Sequence, residues 1–259
     1  MATQEELIQR WDSFLHKIEE RFNESLLHAA EACHEQLVET DYEYETVMRS
    51  WSGMKAQVYD LIKKIDTVWD SKVQPEMEAI GDFHYDENNK GYNLNHKLIY
   101  ALDNFQRQLE GEISQKFYNH AIQIANKKSK CSQCNAQIEV QKDIFRAQYI
   151  TCGFCNAVNT IEPETKFIKI GWGIVDNIAA SICQPEYNNM CIKLDELQEL
   201  RKSERNDAYW DAYEIAYYSY WEKYFNERIK LNSDVADRLE ADLERKKTEF
   251  EKYKEIQTK

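Results

Sequence analysis

Glycine and proline are scarce in this chain, with 7 and 3 among 259 residues. Few positions therefore interrupt a regular helix. Several function signatures are also missing. There is no phosphate-cradling glycine loop, no serine nucleophile elbow and no HExxH pair. The first residues, Met1-Ala2-Thr3-Gln4-Glu5-Glu6, lack the basic and apolar regions of a signal peptide. No run reaches the ~20 apolar residues that span a bilayer. Ile174–Cys183 is apolar in part, but Asp176 and Asn177 interrupt it. No membrane insertion is expected. Basic residues are outnumbered, 33 against 46 acidic, for a net charge of −13. That balance argues against a protein that coats nucleic acid, while leaving room for a local basic patch.

What the sequence does have is long helical periodicity. Leu7, Trp11, Phe14, Ile18, Phe22, Leu26, Ala29, Cys33 and Leu37 recur in steps of three and four. They predict one amphipathic helix over Glu5–Val38. A second stripe, from Val47 and Trp51 through Ile65 to Trp69, predicts a helix over Tyr42–Val73. Thr40 or Asp41 is expected to cap this helix, and Pro75 to stop it. Glu76–Tyr92 reads as a polar turn. His84, Asp86 and Glu87 there would be the first residues to test for a hidden enzyme site. A third helix is expected over Leu94–Lys128, with Asn93 as its cap and Leu98, Leu102, Leu109, Ile113 and Phe117 on its buried face. Further on, Gly171-Trp172-Gly173 reads as a flexible junction and Gln184-Pro185 as a helix break. Asn206–Leu231 reads as an aromatic-rich helix, either buried between several neighbours or presenting a protein-binding surface, with burial the simpler reading. Asn232–Ser233 is a turn before a last helix over Asp234–Ile256. That helix could pack locally or join an intermolecular coiled coil.

Between these halves lies the clearest chemistry. Cys131 and Cys134 form one Cys-x-x-Cys pair, and Cys152 and Cys155 form another, seventeen residues later. Four soft thiolates in two close pairs suit one tetrahedral Zn²⁺. Redox or buried thiols are weighed against this, and iron–sulfur ligation is a minor alternative. The patches Ile138–Val140, Tyr149–Thr151 and Val158–Ile161 suggest short strands. Asn135 and Asn156 follow the second cysteine of each pair, where a metal knuckle demands an unusual backbone angle that Asn tolerates. Ile144, Phe145, Tyr149, Ile150 and Phe154 are expected to cover the small core. The cysteines left over, Cys33, Cys183 and Cys191, are odd in number and do not suggest a disulfide framework. Cys33 lies on the first apolar stripe and reads as a small buried residue.

The two pairs and their spacing resemble the zinc-ribbon superfamily over about residues 127–170. The resemblance implies that Cys131, Cys134, Cys152 and Cys155 are the metal ligands. With every position a thiolate, the zinc would be structural, with no site left for water. The expected architecture is mainly α, a long helical hairpin or bundle with an inserted small β zinc ribbon. Its divisions are 1–128, 129–170 and 171–259.

Residues 127–170 carry seven Lys/Arg and four Asp/Glu, a net +3, leaving −16 on the other 215 residues. From this organisation we expect a non-catalytic cytoplasmic scaffold or adaptor. Its partner would be another protein or a multiprotein complex, or a second copy of the chain. The alternative is a nucleic-acid-associated factor that uses Lys127, Lys128, Lys130, Lys142 and Arg146 on the ribbon. Surface lysines that aid solubility and balance anionic thiolates would give the same charge pattern.

Overall fold

The computed structural model describes residues 3–81, 85–140, 147–162 and 165–258, the side chains at 128, 165–172 and 203 excepted. The protein is mainly helical with a small two-stranded antiparallel sheet. It divides into two compact units, Met1–Leu109 and Glu110–Lys259. Among the described residues no helix is long and apolar enough to cross a membrane.

The first unit opens with helix α1, Gln4–Glu39. Thr3 caps it, accepting a hydrogen bond from the Glu6 amide while the Glu6 side chain accepts from Thr3 N–H. Eight of the nine residues in the sequence stripe are buried, the exception being the half-buried Phe14. Helix α2, Tyr44–Val68, folds back on α1 through a turn in which Asp41 and Tyr42 adopt positive φ. Neither Thr40 nor Asp41 caps α2. Glu43 holds the cap position, and Thr40 Oγ1 donates to the Gln36 carbonyl of α1. Thr40 thus bridges the two helix ends, since its Oγ1 also accepts from the Glu43 amide at 3.3 Å.

Pro75 does not end the second helical stretch. A π turn over Trp69–Val73 carries it into α3, Gln74–Glu78, and the Gln74 N–H donates to the Trp69 carbonyl. Proline in the first turn of a helix forfeits no intrahelical bond, and Pro75 stands in the first turn of α3. The polar turn expected over Glu76–Tyr92 is also shorter than expected, because α4 spans Tyr85–Lys128. Asn93 lies inside that helix and does not cap it. Gly91 explains the extension. A Cβ there would lie 2.7 Å from Trp11 Cζ2, so the glycine lets α4 approach α1 closely. Trp11 Nε1 donates to the Glu87 carbonyl at 2.9 Å, and Lys90 pairs with Asp12 and Glu87. These contacts outweigh the weak helix propensity of Asn88, Asn89 and Gly91.

In the second unit, α5 runs over Thr165–Ile182 and α6 over Gln184–Glu199. The predicted break at Gln184-Pro185 appears as the junction between them. The predicted flexible junction at Gly171–Gly173 does not, since those residues are helical. Ile174, Val175, Ile178 and Ala179 are each at most 2% exposed, and burying such side chains outweighs ~1 kcal/mol per helical glycine. Helix α7, Asp207–Leu231, is capped by Asn206, whose side chain accepts from the Ala208 and Tyr209 amides. Helix α8 covers Leu239–Thr258 after a 3-10 turn at Ser233–Arg238 capped by Asn232. Trp210 and Tyr213 of α7 pack with Leu197 of α6 and Phe250 of α8. The aromatic helix is therefore held between neighbours on two sides. Tyr253 accepts a hydrogen bond from Gln198, and Lys246 Nζ sits 3.8 Å from the Trp221 ring centre. Pairing of Lys223 with Glu186 ties α7 to α6, and pairing of Arg228 with Asp176 ties α7 to α5.

Candidate metal centre

Local backbone geometry builds the site. Each Cys-x-x-Cys pair closes the same turn. The Cys131 amide donates to the Ala136 carbonyl at 2.8 Å, and the Asn135 amide to the Cys131 carbonyl at 2.9 Å. In the second pair the Cys152 amide donates to Ala157 at 2.9 Å, and Asn156 to Cys152 at 3.0 Å. Asn135 and Asn156 take φ of 61° and 59°, the left-handed conformation expected from their places after the cysteines. Strand β1, Gln148–Thr151, pairs antiparallel with β2, Val158–Ile161, so the second knuckle sits at the hairpin's end. The first knuckle is closed by a bridge between Lys130 and Gln137.

The knuckles bring all four thiols together. The four Sγ atoms lie within 4.8 Å of one another. Cys131 and Cys155 sulfurs are 3.4 Å apart, and those of Cys134 and Cys152 are 3.5 Å apart. A tetrahedron with ~2.3 Å metal–sulfur bonds has edges of about 3.8 Å, so the cluster has the size of one thiolate-bound ion. None of the seven cysteines is in a disulfide. The arrangement is zinc-ribbon-like, and the four cysteines could hold a metal ion.

Electrostatics favour anionic sulfur at the first cysteine of each pair. Amides of Cys134 and Gln133 point at the Cys131 sulfur and bring its pKa down to about 6. Those of Phe154 and Cys155 lower that of Cys152. At Cys134 the Ala136 amide acts in the same sense, but proton sharing with Cys155, burial and the Cys152 and Cys131 sulfurs push the thiol up to about 12. Four negative sulfurs at this spacing repel one another, and a divalent cation relieves that repulsion.

Two residues that the sequence reading passed over organise the site. Asn159, only 6% exposed, faces inward from the middle of β2. Its Oδ1 accepts from the Ser132 amide at 2.8 Å and from Ser132 Oγ at 3.0 Å. Its Nδ2 donates to the Ala157 carbonyl at 3.0 Å and approaches the Cys131 sulfur at 3.6 Å. Asn126, near the end of α4, accepts from the Val140 amide at 2.7 Å through its side chain and from Gln137 Nε2 through its carbonyl. Ser129 Oγ donates to the Ala125 carbonyl. The module is thus fastened to the helix end. The detectable signal for Asn159 was a polar residue in a strand whose alternation puts it inside.

The apolar cover differs from expectation. Tyr149 and Phe154 are 77% and 84% exposed. Ile138 and the sulfurs of Cys131 and Cys152 form the buried centre, with Ala136, Ile150, Cys155, Ala157 and Ile161 against it. Tyr149 points outward because β1 alternates, and Phe154 stands at the tip of its knuckle. Ile144, Phe145, Lys142, Arg146 and Pro163 lie outside the described residues, as does the side chain of Lys128. Lys127 and Lys130 are exposed.

Among the described residues the other sequence candidates do not assemble a site. Asp86 is exposed, Glu87 is buried in its pair with Lys90, and His84 lies outside the described residues. Cys33 and Cys183 are fully buried, and desolvation raises both thiols to about 11. Both are poor nucleophiles for that reason. No family model, curated protein or solved structure matches the chain.

Proposed function

We propose that the protein is a non-catalytic helical scaffold or adaptor whose four-cysteine module binds Zn²⁺ as a structural brace. The observation that carries this reading is the clustering of four sulfurs, all thiol, within 4.8 Å. Such a donor set favours zinc among the abundant divalent ions and leaves no position for a reacting water. The buried side chains of the ribbon are few and small, so metal binding would supply much of its folding energy. Thiolate ligation fits a reducing compartment such as the cytoplasm. The helices set the spacing of the assembly, and the outward Tyr149, Phe154 and Val158 offer an uncharged contact face for a partner protein. The test is light scattering coupled to size exclusion, with pull-down of the native and Tyr149→Ser/Phe154→Ser proteins. A stable partner lost with the double substitution supports the reading. A monomer that turns over a substrate and retains no partner contradicts it.

The same exposed rings favour a second reading. Two aromatic faces on a module of net positive sequence charge suit stacking on unpaired bases. Titration against single-stranded RNA and DNA over a range of salt separates the two readings, since phosphate binding weakens steeply as salt rises.

A further inference from the structure

In the first unit a recess of about 180 Å³ opens between α1 and the end of α2. Its walls are the apolar side chains of Leu7, Phe14, Val68 and Val73. Trp11 forms part of the lining and is fixed, stacked on Phe14 at 5.5 Å and hydrogen-bonded through its indole N–H to the Glu87 carbonyl. The recess is therefore preformed. Its rim carries Arg10 and Lys72 with one acid, Glu76. Lys72 and Val73 come from the π turn at Trp69–Val73, an irregularity that frequently marks a functional position.

The charges are the informative part. Among the described residues Arg10 and Lys72 make no ion pair, in a chain whose net charge is −13. Lysines elsewhere are often paired, as Lys90, Lys97, Lys223 and Lys254 are. Two unpaired cations beside an apolar recess complement an anion that carries an apolar body. Water would compete strongly for a bare anion at such exposed groups, so the apolar walls must supply part of the affinity. A cavity of about 150 Å³ lined by apolar groups holds a benzene ring, so a ring or a short branched chain suits the volume here.

We infer that this recess binds a small apolar monocarboxylate, with its hydrocarbon body against Phe14, Val68 and Val73 and its carboxylate held by Arg10 and Lys72. The carboxylate can take charge-assisted hydrogen bonds from both cations, and an amide or alcohol of the same shape cannot replace them. The recess shares no residue with the cysteine cluster.

The test uses the full chain with 3-phenylpropionate as the probe and 3-phenylpropanamide as its neutral match. Binding is followed by the indole Nε1–H resonances, assigned by substitution of Trp11 and Trp69. For a ligand of this size the dissociation constant should be on the order of 1 mM. Arg10→Gln and Lys72→Gln should each weaken binding about tenfold, the worth of one charge-assisted bond. Both residues are exposed, so the variants should melt with the native protein. Phe14→Ala should weaken the acid as well. The proposal is overturned if the amide binds as tightly as the acid. It is overturned equally if the two charge variants bind the acid unchanged, or if no resonance of Trp11 moves at about 20 mM acid, well above the dissociation constant expected for this ligand size.

Discussion

Replacing Asn159 with leucine removes the polar hub of the cysteine module while keeping side-chain size close. The native amide group makes three hydrogen bonds of 2.8–3.0 Å, two from Ser132 and one to the Ala157 carbonyl, and lies 3.6 Å from the Cys131 sulfur. Leucine leaves the Ser132 amide without its acceptor in a partly buried setting, at a cost of ~1–3 kcal/mol. Loss of the donor to an anionic sulfur adds about 1–2 kcal/mol. Some of this is recovered by the added apolar contact, so the net is about 3 kcal/mol. If the proposed metal brace couples folding of the module to metal binding, that energy should appear as roughly a 100-fold loss of metal affinity. Competition with a chromophoric chelator measures it. Asn159→Asp keeps the acceptor for Ser132 but sets a negative oxygen near the sulfur, so it too should weaken the metal. Affinity within twofold of native for both variants would refute the role assigned to Asn159.

Single backbone positions carry further consequences. A Cβ at Gly111 would lie 2.2 Å from Ser181 Cβ and 3.1 Å from the Asn177 carbonyl, so Gly111→Ala should destabilise by about 2 kcal/mol and lower the melting temperature by roughly 5 °C. Gly53, inside α2, has nothing within 4 Å of the same position, and Gly53→Ala should stabilise by ~0.5–1 kcal/mol. Asn135→Ala and Asn156→Ala should each lose about 1–2 kcal/mol of module stability, whereas the glycine variants should be near native, as φ near 60° requires. Urea unfolding of the metal-loaded protein checks this last pair.

Much of this structure was legible because its helices obey a simple period. The stripe from Leu7 to Leu37 became the buried face of α1 nearly residue for residue. The two cysteine pairs announced a cluster, and the asparagines after them announced its backbone angle. Reading faltered where long-range packing overrode local preference. Gly91 looked like a turn residue, yet it is a contact residue that admits the Trp11 ring. Gly171 and Gly173 looked like a hinge, yet they continue a helix whose next residues are buried. Pro75 looked like a stop, but a π turn resets the helix before it. Tyr149 and Phe154 looked like core by residue type, and only the strand register and knuckle geometry turn them outward. Asn159 was missed because a buried amide carries no apolar signal of its own.

The most direct test of the central claim is metal content by elemental analysis and native mass spectrometry, on the native protein and on Cys134→Ser and Cys155→Ser. The account predicts one zinc ion per native chain, loss of that ion in each variant, and loss of amide-exchange protection across the module. Native-like metal content and unchanged protection in both variants would contradict it.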